Sequence, residues 1–92
     1  MRIALCKARH AIPCNHYVFE TDIENVFDFY GLRNIAIAAI RKTTDLHIDL
    51  YVTGLTMALG EVINACVMEH RTLSLWHYNK KTDSYKEQKL II

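Results

Sequence analysis

Apolar and polar positions along the chain change their period several times, and each change marks an element. Residues 2–7 put Ile3 and Leu5 on one face and Ala4 and Cys6 on the other, the near-continuous apolarity of a strand covered on both sides. A long loop over 8–15 follows, because Pro13 removes a backbone donor and Asn15 favours a turn. Thr21 with Glu24 three residues on matches a capping box, and Ile23, Val26, Phe27 and Tyr30 then keep helical spacing until Gly31 interrupts. Either a helix begins there, or a short helix or turn precedes a main helix over about 28–42. The stripe of that main helix is Leu32, Ile35, Ala36, Ala39 and Ile40, with Arg41 and Lys42 at its negative end.

Residues 45–53 return to period two, with Leu46, Ile48, Leu50 and Val52 alternating against His47, Asp49 and Tyr51, which predicts a second strand. Gly54 ends it, and Leu55, Leu59, Val62, Ile63, Cys66 and Val67 recur at helical spacing up to about Glu69. A third strand over 72–79, polar turn residues over 80–84 and a fourth strand over 85–92 form a hairpin. Strands alternating with helices imply parallel pairing through right-handed crossovers, so the expected fold is a small α/β domain of βαβαββ order. It reads as Rossmann-like, with three parallel strands and one antiparallel hairpin strand. Lys86, Glu87, Gln88 and Lys89 place the last strand at an edge.

With 92 residues the chain has room for one domain of thin stability margin, which self-association as a homodimer or higher oligomer would widen. A net charge of +1, without a run of Lys or Arg, argues against binding to duplex nucleic acid. The odd set Cys6, Cys14 and Cys66 predicts reduced thiols. A start that is charged too soon for a secretory leader, and the lack of a bilayer-length apolar run, predict a cytoplasmic protein with no membrane partner.

In open α/β sheets ligands gather beyond the carboxyl ends of the strands, where helix N-termini offer unpaired backbone N–H groups. Three segments qualify. Thr53, Gly54, Leu55 and Thr56 form a turn that lets a ligand approach the main chain and favours an anionic group, although such a threonine is equally a plain helix cap. Lys7, Arg9 and His10 add cationic donors, or form a solvated loop. Trp76, His77 and Tyr78 offer a ring for stacking on a base, or fill the core.

Neither a dinucleotide fingerprint nor a phosphate-binding P-loop occurs, and no cofactor is expected. His10 and His77 are candidate catalytic acid and base groups, yet no nucleophile elbow is present, and the acidic residues, Asp49 and Glu87 among them, show no paired signature. Cys6 with His10, and Cys14 with His16, have spacings a metal accepts, but no second pair completes a zinc motif, so no metal site is expected.

The element order together with the Thr53-Gly54-Leu55-Thr56 turn resembles a minimal version of the CRISPR-associated Rossmann-fold sensors and ring nucleases. In that family the corresponding turns hold a cyclic oligonucleotide at a dimer interface. The resemblance therefore implies a nucleotide-binding role for Arg9, His10, Thr53, Gly54 and Thr56. It also implies, for a chain without an effector domain, either a sponge that sequesters a nucleotide-derived signal, as phage anti-defence proteins do, or an enzyme that degrades it. The alternatives to a sponge are a metal-independent phosphodiesterase using His10 or His77, and a protein-interaction module that pairs through the edge strand over 85–92.

Overall fold

Period-two alternation in the middle of the chain builds one of the two inner strands of a four-stranded sheet. The computed structural model describes residues 1–8 and 11–92; Arg9 and His10 lie outside the described residues. The elements are β1 (Arg2–Ala4), α1 (Phe29–Ile40), β2 (His47–Tyr51), α2 (Thr56–Met68), β3 (Thr72–Asn79) and β4 (Ser84–Lys89). The strand order is β1-β2-β3-β4. The first three are parallel, with Ile3 beside Leu50 and Leu50 beside Leu75, and β4 closes the sheet antiparallel to β3. The chain is thus α/β with a mostly parallel sheet.

Two crossovers that advance in the same direction, β1 to β2 and β2 to β3, put both helices on one face of the sheet, as crossovers of one hand do. Ile3, Ile48, Leu50, Leu73 and Leu75 from that face join Leu32, Ala36, Ile40, Val62, Ala65 and Cys66 from the helices in one core. Small residues on both helices let them approach closely, and two ion pairs tie them. Arg33 Nε donates to Glu61 Oε1 at 2.7 Å, and Arg41 holds Glu69 with both Nε and Nη2. Both pairs span the same offset of 28 residues, as two parallel helices in fixed register require. Among the described residues no helix covers the opposite face of the sheet.

Three expectations are corrected in detail. The first strand stops at Ala4 instead of running to residue 7, and its outer edge is covered by the following segment: Ala4 N–H donates to the His16 carbonyl, and Val18 N–H to the Ala4 carbonyl. The Thr21/Glu24 capping box starts no helix. Instead α1 begins at Phe29, capped by Asp28, whose Oδ1 accepts from Gly31 N–H at 3.0 Å. Gly31 does not interrupt this helix but lies in its first turn, where a Cβ would collide with the Asp28 carboxylate. The third strand occupies the expected residues, and β4 lies at the edge, where Lys86 to Lys89 are exposed.

Candidate functional site

At the carboxyl ends of β1 and β2 the turn into α2 does what its glycine suggests. Gly54 has a φ of +97° and lies so close to the segment after β1 that a Cβ would stand 3.3 Å from Cys6 Sγ. Opposite the turn, the segment over 19–23 leaves an open cleft of about 490 Å³, lined by Cys6, Lys7, Glu20, Thr21, Asp22, Gly54 and Leu55 among others. The helix starts at Thr56 with Leu55 as its cap, and among the described residues no side-chain cap hydrogen bond is made there. The N–H donors of its first turn, with the helix dipole behind them, are the groups to which an anion binds.

Lys7, Gly54 and Leu55 are therefore brought together, with Thr56 exposed on the adjoining first turn. Thr53 has another task. It is buried, and its hydroxyl accepts from Cys6 N–H at 2.9 Å while donating to the Cys6 carbonyl, which clamps the segment after β1 to the segment after β2. Trp76, His77 and Tyr78 do not line the cleft. Trp76 and Tyr78 share the helix-free face with Tyr51 and Tyr85, and His77 points to the other side, exposed, with Nε2 2.7 Å from Gln88 Oε1. Arg9 and His10, and with them any pairing of His10 with His77, lie outside the described residues.

The helix-free face carries a second constellation, at the opposite end of the strands. His47 and Thr72 are the first residues of β2 and β3 and stand side by side in the register, as do Asp49 and Ser74. Antiparallel pairing of Trp76 with Glu87 brings β4 alongside. The outcome is a connected polar network. His47 Nδ1 is 2.7 Å from Thr72 Oγ1, its Nε2 is 3.1 Å from Ser74 Oγ and 3.4 Å from Asp49 Oδ1, and Ser74 Oγ donates to Glu87 Oε2 at 2.8 Å. Trp76 Nε1 donates to Asp49 Oδ1 at 3.0 Å. A cavity of about 590 Å³ lies over these groups, walled by Leu73 and Leu90, with Lys89 at its rim.

Toward the carboxyl ends the same face turns aromatic and closed. Tyr51 stacks on Trp76 at 5.9 Å and meets Tyr85 edge-on at 4.9 Å. Burial first, and the charge of the Cys14 group second, push the Tyr85 phenol upward. The amino-terminal end stays open, and His47 and Glu87 are exposed there. Sequence reasoning missed this cluster because its members lie on three strands and become neighbours only through the register. No family model, curated protein or solved structure matches the chain. Among the described residues no helix is long and apolar enough to cross a membrane.

Proposed function

We propose that the chain is a Rossmann-like binding module that holds a nucleotide-derived signalling molecule, such as a cyclic oligonucleotide or an ADP-ribose derivative, in the strand-end cleft. The observation that carries the reading is the meeting of Lys7 with the Gly54-Leu55 turn, which leads directly into α2, around one open volume of about 490 Å³. That volume lies within the range of small-molecule sites. The cationic lysine and the positive end of the helix suit a phosphate.

Glu20 and Asp22 on the facing wall sharpen the class of ligand. Two carboxylates repel a bare phosphate ion but accept from hydroxyl and amino donors, so the cleft suits a molecule presenting one phosphate on one side and ribose or base donors on the other. Binding without turnover makes this a sponge.

A thermal-shift screen with cyclic di- and trinucleotides, ADP-ribose derivatives and simple nucleotides tests the reading. A ligand at a hundred times its Kd is expected to add about 2.7 kcal/mol of stability. Thr56→Asp, which sets a carboxylate against the phosphate, is expected to weaken that ligand at least tenfold, and the ligand should be recovered intact after denaturation. No shift with any nucleotide, or an unchanged affinity in Thr56→Asp, overturns the proposal.

A further inference from the structure

We infer that His47, Asp49 and Glu87 form a binding site for a divalent transition cation of the zinc class on the helix-free face of the sheet. One ligand atom from each residue can be chosen so that all lie within 4.8 Å of one another. Ligand atoms around a tetrahedral zinc stand roughly 3.4 Å apart, given metal–ligand bonds of about 2.0–2.2 Å. His47 Nε2 and Asp49 Oδ1 already have that separation, at 3.4 Å. Only the Glu87 carboxylate, on an exposed side chain of the edge strand, has to close in.

The surroundings orient each ligand separately. Trp76 Nε1 donates to Asp49, and Ser74 Oγ, fully buried, donates to Glu87. When the imidazole carries its proton on Nδ1, it donates to Thr72 Oγ1, which passes its own hydrogen to the Leu46 carbonyl. In that tautomer Nε2 presents a bare lone pair toward two acceptors, the Ser74 oxygen and the Asp49 carboxylate. Three electron-pair donors within reach of one another, each oriented by a hydrogen bond of its own, make an arrangement that a cation completes. When the proton is on Nε2 instead, the ring closes on Ser74, so metal binding selects the first tautomer.

Charge and access agree with this assignment. Two carboxylates with a neutral imidazole balance a dication, and among the described residues neither carboxylate has a lysine or arginine ion-pair partner. One imidazole with two carboxylates favours zinc over magnesium or calcium, which prefer all-oxygen sites. Three protein ligands leave the remaining position to water beneath the cavity of about 590 Å³, as in sites that take a further ligand, not closed structural ones.

The test titrates the full chain with Zn²⁺ alone by calorimetry, and with Co²⁺ read by visible absorption. One ion per chain is expected, without the intense thiolate-to-cobalt band that coordination by Cys6 or Cys14 would produce. Glu87→Gln and His47→Gln change exposed side chains, and each is expected to weaken Zn²⁺ at least tenfold with an unaltered circular dichroism spectrum. Ser74→Ala, which frees the Glu87 carboxylate, is expected to weaken it roughly tenfold. A Cys14→Ser chain should bind as the parent does. Unchanged affinity in His47→Gln, a thiolate band, or no binding at tens of micromolar Zn²⁺ overturns the inference.

Discussion

At the scale of single residues, Cys66 shows how burial can outweigh a nearby charge in setting chemistry. It lies fully buried on α2 within the core. Burial pushes its thiol from 9.0 up to about 11, against a smaller downward pull from Arg71. The sign of the linkage follows. Between these two values the unfolded chain releases the Cys66 proton while the folded chain keeps it, so stability is fully present below pH 9 and falls as pH rises toward 11. The slope contributed is at most about 1.4 kcal/mol per pH unit. Urea unfolding from pH 8 to 11 is expected to show this loss, with a shallower slope in Cys66→Ala; equal slopes would assign the loss elsewhere. Tyr51 and Tyr85, which burial also pushes up, add loss of the same sign in both chains and cancel in the comparison. Cys66 therefore acts as a core side chain, unlike His47, whose surroundings leave it exposed and oriented.

At the scale of elements, the end of α2 carries a local conflict between backbone and side chain. Arg71 N–H donates to the Cys66 carbonyl and His70 N–H to the Val67 carbonyl, the paired bonds of a Schellman motif. That motif puts His70 at a φ of 55°, where a Cβ crowds the following carbonyl. His70→Gly should therefore stabilise the protein by roughly 0.5–1 kcal/mol, after allowance for the freer unfolded chain. It is expected to appear as a higher urea midpoint at unchanged m-value, and a lower midpoint would mean that the His70 side chain holds the helix end by a contact of its own. Elements of this kind were legible in sequence where period and boundary agreed. The third strand was, since Leu73 and Leu75 alternate with Ser74 between a helix end and a polar turn. The start of α1 was not. A capping box at Thr21 competes on paper with Asp28, and only the glycine three residues after Asp28, leaving space for its carboxylate, decides between them.

At the scale of the whole molecule, the two candidate sites occupy opposite ends of β2 and therefore should not interact. Consecutive strand order puts both helices on one face, so the strand-end cleft forms beside α2 while the histidine–carboxylate cluster forms on the bare face, near the amino-terminal ends of β2 and β3. The cleft was legible because Gly54 marks it in the sequence. The cluster was not, because Glu87 meets His47 and Asp49 only once the hairpin register pairs Trp76 with Glu87, and a slip of one residue would turn Glu87 to the other face. Separate sites with no shared partner give additive effects, usually within about 0.5 kcal/mol. Lys7→Ala and Thr56→Asp should accordingly leave Zn²⁺ affinity within twofold of the parent, and Glu87→Gln should leave any nucleotide-induced thermal shift intact. Trp76 allows the separation to be watched directly. It is the chain's one tryptophan, and it donates to Asp49, so its fluorescence should respond to Zn²⁺ and stay unchanged when the cleft fills. A Zn²⁺ affinity that falls with Lys7→Ala would instead mean that the sheet couples its two ends, with β2, the strand that reaches both, as the element in common.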